Sequence, residues 1–301
     1  MARDMRVFGS APEYTLEQYQ ERFKEHFMFK RENGIIEVKM HTEGDSPRWS
    51  PGQYMSVSQV LQVVGADPEN ECIIITAAGD RWLGGTDPRW GDYINEKFRT
   101  DRQEFSDVTY DFMYKYGIRI LQNLVFDIDV PTIGAINGPS PGHLEFPLVC
   151  DITISADDVT FKDLHFDPVI AGMSPGDGLF LVYQKLFGLK KANYMVYTAS
   201  AGTEVTAKEA LDRDIINEVL PKEEILPRAW ELARLIMKTP RVARRLTHES
   251  MVRPWRRILV NDANLQFSQE CWAYTITGPV RDTTYDYDYA KGEYENQAKK
   301  Q

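Results

Sequence analysis

The stretch PTIGAINGPSPGHLEFPLVCDITISADDVTF, Pro131 to Phe161, holds two short apolar runs on either side of a turn-forming segment. Val130 to Ile136 is apolar and free of charge, the pattern of a strand buried on both faces. Asn137 to Gly142, NGPSPG, is too rich in glycine and proline to continue that strand and reads as a turn. A short helical segment follows, then a second strand around Ile152 to Ser155. Strand and helix alternate here, and that alternation sets the class as α/β.

The same alternation extends to both sides. Upstream, Glu71 to Gly79 reads as another buried strand, Gln53 to Val64 as a helix after an SPG turn, and Ile35 to Thr42 as a strand. Tyr14 to Asn33 mixes apolar and charged residues at helical spacing and reads as one amphipathic helix ending at Gly34. After the glycine-rich loop GDRWLGGTDPRWGD, Phe105 to Phe126 reads as a long helix, and Leu179 to Leu189 as another after PGDG. From Ala207 onward the pattern is helical apart from IINEVL. The expected organisation is an N-terminal helical extension over 1–34, an α/β core over 35–206, a helical subdomain over 207–277 and a polar, Tyr-rich tail over 278–301.

The 301 residues are 43% hydrophobic, enough for a core that needs neither a disulfide nor a structural metal. Asp+Glu exceed Lys+Arg by 45 to 35, and a net charge of −10 argues against a general nucleic-acid binder. Cys72, Cys150 and Cys271 are odd in number and far apart, which gives neither a disulfide framework nor a metal-binding pair and fits a reducing compartment. The opening MARDMRVFGSAPEY is interrupted by charge, unlike a signal peptide, and no run nears the roughly 20 apolar residues that cross a bilayer. The expectation is a cytoplasmic chain with no membrane and no nucleic acid among its partners.

Histidine is scarce, with five in the chain, and each can be weighed. His26 in a charged helix and His248 among arginines read as surface residues, and His41 as a polar strand end. His143 follows NGPSPG at the start of a helix, where free N–H groups can stabilise an oxyanion. Glu145 lies two positions on, and residues two apart on a helix do not share a face, which separates it from His143 unless the helix starts between them. His165 in FKDLHFD is followed twelve positions later by Asp177 in PGDG. Asp177 reads either as a helix cap or as a carboxylate that orients His165, leaving the other ring nitrogen as a general base.

The quoted stretch resembles the signature of the crotonase (enoyl-CoA hydratase/isomerase) superfamily, and the likeness continues through FKDLHFDPVIAGMSPGDGLFLVYQKLFG, AKEALDRDIINEVL and PRAWELARLIMK. The resemblance implies a spiral of β-β-α turns with a C-terminal helical subdomain. It puts the two oxyanion-hole N–H groups on Thr86 and Gly142. Glu145 matches the first of the two glutamates that hydratases use, but the second position, four residues after Phe161, is His165. That departure is similar to the β-diketone hydrolases related to 6-oxocamphor hydrolase. HTEGDSPRW carries Trp49 as a substrate-lining aromatic, GHLEFP carries His143, PGDG carries Asp177, and RRILVNDANLQFSQE ends on Glu270. Tyr54 stands where that group has a histidine, a change that bears on substrate choice, and Trp82 joins Trp49 and Tyr54 as an expected substrate contact.

The implied reaction is hydrolysis of a carbon–carbon bond in a cyclic or bicyclic 1,3-diketone, with no coenzyme A, cofactor or metal. His165 oriented by Asp177 would take a proton from water, His143 would protonate the departing enolate, and Glu270 would position water or the base, or the two histidines exchange these roles. Alternatives on the same fold are an acyl-CoA hydratase, isomerase or hydrolase, and a non-catalytic binding protein. The resemblance also implies a homotrimer or dimer of trimers.

Overall fold

The computed structural model describes residues 14–167 and 172–278. The strands are β1 (Phe27–Glu32), β2 (Ile35–Met40), β3 (Cys72–Ala77), β4 (Thr132–Ile136), β5 (Ile152–Ala156), β6 (Thr160–Phe161), β7 (Val205–Thr206) and β8 (Glu218–Leu220). The main sheet runs β1-β2-β3-β4-β5-β8, parallel throughout except for the β1–β2 pair, and β6 and β7 form a separate antiparallel pair. The α/β class is as the apolar runs predict, and β3 and β4 pair directly in the sheet.

The helices before β4 are α1 (Leu16–Phe23), α2 (Pro51–Ala66), α3 (Pro88–Thr100), α4 (Arg102–Thr109) and α5 (Ile118–Phe126). Between β4 and β7 lie α6 (Glu145–Val149), α7 (Leu179–Phe187) and α8 (Leu189–Tyr197). The chain then adds α9 (Ala207–Asp212), α10 (Lys222–Ile236), α11 (Arg241–Met251), α12 (Arg253–Asn261) and α13 (Ala263–Thr277). Helix α10 packs on β3, β4 and β5, while α2 and α5 pack together on another side. Ile73, Ile74, Ile133 and Ile154 of the sheet are fully buried in the core.

Three readings change. Tyr14 to Asn33 is not one helix: α1 ends at Phe23, and β1 pairs antiparallel with β2 in a hairpin turned by Asn33 and Gly34 at φ 50° and 83°. Positive φ at both central residues is what a tight hairpin needs, and Asn-Gly supplies it at least cost. Phe105 to Phe126 is interrupted by a π-helical turn over Tyr110–Gly117, which puts Phe112 and Met113 on the wall of the main cavity. The predicted helix Leu179 to Leu189 ends at Phe187, because Gly188 breaks it at φ 82° before α8 begins. Of the expected tail, only Gly278 lies within the described residues.

The turn Pro175–Gly178 lies directly against α13. A side chain at Gly176 would overlap the carbonyl oxygen of Gln266 and come within 2.5 Å of Glu270 Cβ. Glycine here lets the loop carrying Asp177 touch the helix carrying Glu270, which is how two distant segments meet at one site.

Candidate active site

The residues after β4 build one side of the site. The chain turns through Pro139–Gly142, and His143 takes a left-handed backbone at φ 54° before α6 starts at Glu145. Because the helix begins after His143, the argument that separated it from Glu145 does not apply. His143 Nδ1 is 3.1 Å from Glu145 Oε1 and 3.4 Å from Asp177 Oδ2. The imidazole stacks on Trp49 with ring centroids 3.9 Å apart, and Tyr54 meets it edge-on at 5.7 Å. Trp82 does not line the cavity. It is buried at 1% exposure, and its indole N–H donates to the His143 carbonyl oxygen at 2.9 Å, so it holds the backbone of the site rather than a substrate.

The other side comes from the loop after β6, the turn before α7, and α13. His165 Nδ1 lies 3.3 Å from Asp163 Oδ1, and Nε2 lies 3.7 Å from both Asp177 Oδ2 and Glu270 Oε1. Asp177 Oδ1 accepts the Leu179 N–H at 3.0 Å at the start of α7, while Oδ2 faces the two histidines. Glu270 is buried at 1% exposure, on the inner side of α13. Asp163, which sequence reasoning passed over, is fully buried and accepts the His165 N–H at 2.8 Å. Its signal was the Asp-x-His spacing in FKDLHFD.

Six ionisable groups therefore share one buried volume. Burial would strip the proton from His165, but Asp177, Asp163 and Glu270 outweigh that and hold the ring well above the ordinary histidine value. Burial pushes Glu270 up to about 8, assisted by Asp177 and Asp163 and opposed by His165. Burial and then Asp177 raise Glu145 as well, against the pull of His143. Tyr54 is raised by burial and by Glu270 and Asp177, and so stays a neutral phenol.

A stability consequence follows. Folded Glu270 keeps its proton up to about 8, whereas an unfolded glutamate has released it above about 4.5. Folding takes up a proton across that window, so this group's contribution to stability falls as pH rises through it. Glu270→Gln cannot ionise, and its melting temperature should gain on that of the wild type between pH 5 and 8.5. A constant difference across a thermal-denaturation series would contradict the shift.

The cavity beside these groups encloses about 300 Å³ and is walled by Trp49, Tyr54, Trp90, Ile94, Phe112 and Met113 among others. Thr86, Gly142, His143, His165 and Glu270 reach it, while Glu145, Asp163 and Asp177 stand behind the histidines. Gly142 N–H has only a long 3.4 Å contact with Ser140 Oγ. Thr86 bridges to Trp49 through the flanking Gly85 carbonyl and Asp87 N–H.

The remaining histidines differ from expectation in one case. His248 is buried at 2% exposure, with Nδ1 2.7 Å from Asp151 Oδ2 and Nε2 3.1 Å from the Ile128 carbonyl, and it ties α11 to the sheet. An amphipathic helix docks its polar face when the sheet offers a carboxylate, which arginine-rich context conceals. His26 is half-buried, and buried His41 accepts the Gly44 N–H just past the end of β2.

His143, Glu145 and Asp177, and likewise His165, Asp177 and Glu270, bring ligand atoms within 4.8 Å of one another, the spacing a divalent ion would use.

The family model for enoyl-CoA hydratase/isomerase matches residues 30–278. The chain belongs to that family. This crotonase-superfamily chain is 28% identical over 190 residues to an enoyl-CoA isomerase/hydratase of Mycosarcoma maydis, covering 63% of each. It is 26% identical over 219 residues to hydroxycinnamoyl-CoA hydratase-lyase of Pseudomonas fluorescens, 72% of this chain and 75% of that one. Among solved structures, a β-diketone hydrolase from the cyanobacterium Anabaena sp. PCC 7120, bound to (S)-3-oxocyclohexyl acetic acid, matches with a TM-score of 0.75 and 29% identity. That match covers 86% of this crotonase-family chain and 98% of the Anabaena protein. No helix among the described residues is long and apolar enough to cross a membrane.

Proposed function

We propose that the chain is a coenzyme A-independent hydrolase that cleaves a carbon–carbon bond of a cyclic or bicyclic 1,3-diketone. The observation that carries this reading is the pairing of two histidines across one buried aspartate, on the wall of an apolar cavity. A hydratase needs two carboxylates at the reacting bond, and His165 takes the place of one of them. The 29% identity with the Anabaena β-diketone hydrolase supports the same assignment, and the ligand of that protein is a keto acid, the product class of such a cleavage.

In this mechanism water attacks one carbonyl, and its proton passes to the unit formed by Glu270, His165 and Asp177. The carboxylates around His165 make this a shared proton rather than a transfer to a neutral imidazole, which revises the role drawn from sequence. Backbone N–H groups of Thr86 and Gly142 hold the tetrahedral oxyanion. The carbon–carbon bond then breaks toward the second carbonyl, and the resulting enolate is protonated on carbon by His143. Trp49 and Tyr54 flank that histidine and would line the substrate's ring. Thr86 and Gly142 are worth roughly 2.7–4 kcal/mol each if both donate in the transition state.

Retention of Glu145, together with relatives named for acyl-CoA reactions, favours a second reading as an acyl-CoA hydratase or isomerase. A spectrophotometric screen separates the two. Cyclic and bicyclic 1,3-diketones are expected to lose their enol absorbance with enzyme alone. Turnover of enoyl-CoA thioesters with no diketone cleavage would overturn the proposal. A cytoplasmic location and a trimeric assembly remain part of the same proposal, to be read by fractionation and by sedimentation.

A further inference from the structure

We propose that Asp163 is the positioning residue for His165: its carboxylate holds Nδ1–H and thereby turns Nε2 toward Asp177, Glu270 and the cavity. The inference rests on His165 belonging to the reacting centre, and it reassigns the orienting role that sequence gives to Asp177.

The geometry divides the ring into two edges. On the Nδ1 edge Asp163 is the charged neighbour among the described residues, with Oδ1 at 3.3 Å; Nδ1 is buried without a hydrogen bond of good geometry, so the hold on it is an ion-pair contact. On the Nε2 edge stand Asp177 and Glu270, both at 3.7 Å. Asp177 is committed elsewhere, since Oδ1 takes the Leu179 N–H and Oδ2 also faces His143 at 3.4 Å. A carboxylate shared between two histidines on the reactive edge of one of them is poorly placed to fix that ring's tautomer.

Asp163 has no competing task on its free oxygen. It is fully buried, and Oδ2 has no hydrogen-bond partner among the described residues. Tyr183, the nearby phenol, donates to the Lys162 carbonyl at 3.0 Å. A buried carboxylate without cationic compensation is costly, and the imidazole edge beside it is the compensation present. The arrangement is local and stiff: Asp163 Oδ1 accepts the backbone N–H of the same residue whose ring it faces. The tautomer of a histidine is set by the partner of its non-reacting nitrogen, which is this one.

The groups that bear on His165 are Asp163 from its own loop, Asp177 from the turn before α7, Glu270 from α13, and Glu145 with His143 beyond Asp177. Asp163→Asn removes the charge but keeps an oxygen for the backbone N–H. Nitrogen-15 NMR of the resting protein, with the His165 signals assigned by His165→Gln, reads the ring directly. The expected result is a neutral ring, read above the wild-type titration midpoint, that keeps its proton on Nδ1, and a titration midpoint about one unit or more lower in Asp163→Asn. The alkaline limb of kcat/KM on a cleaved diketone should move down with it, which a merely structural role would not produce. A bare Nδ1 in the wild type overturns the proposal, and so does an unshifted midpoint in the variant. If Asp163→Asn fails to fold, the wild-type tautomer alone decides. The NMR readout needs no substrate, so failure of the diketone screen and failure of this assignment are separate results.

Discussion

His165→Ala lowers kcat/KM on a cleaved 1,3-diketone by about 10²–10⁴-fold, Asp177→Asn costs at least as much, and the double variant is little worse than Asp177→Asn. The reason is geometric. Asp177 Oδ2 lies 3.7 Å from His165 Nε2 and 3.4 Å from His143 Nδ1, so neutralising it disturbs both proton-handling groups. Asparagine keeps an oxygen for the Leu179 N–H, which preserves the start of α7 and confines the change to the charge. Steady-state kinetics on the two single variants and the double variant, with melting temperatures as a folding control, measures the coupling. Losses that multiply would remove the shared unit and leave Asp177 with its helix alone.

His143→Ala should cost a similar 10²–10⁴-fold and also erode stereochemical control, since protonation of the enolate would pass to solvent. Glu145→Gln is expected to be milder, on the order of tenfold, but not silent. The 3.1 Å contact between Glu145 Oε1 and His143 Nδ1 makes Glu145 a neighbour that orients the imidazole, so loss of its charge is felt through His143. A hydratase-type centre reverses the ranking, because there Glu145 itself would move the proton. Rates and enantiomeric excess for both variants on one prochiral bicyclic diketone test this. A greater loss at Glu145 than at His143 would defeat the assignment.

The pattern of burial along the chain was legible wherever one element faces apolar surroundings on all sides. Cys72–Ala77 and Thr132–Ile136 are buried at every position, and Ile152–Ala156 at all but the first, because parallel strands are covered on both faces. The β1–β2 hairpin was missed for the opposite reason. FMFKRE alternates buried and exposed positions along an edge strand, and with only six residues its period blends into that of the helix before it. The Asn33-Gly34 turn was the decisive local signal.

Residue types and local spacing were enough to nominate His143, His165 and Asp177 and to bring Asp163 within two positions of His165, whereas Glu270 was nominated by the family resemblance alone. Which nitrogen faces which carboxylate was decided only by folding. The left-handed backbone at His143 turns its ring back onto Glu145, a consequence of where α6 starts rather than of helical spacing. Glu270 reads as an ordinary helix glutamate until Gly176 lets the Asp177 turn press against α13, almost a hundred residues away in the chain. Their protonation follows from the same event. A carboxyl group takes its ordinary pKa from water, and these lose that reference when the sheet, the α7 turn and α13 close around them.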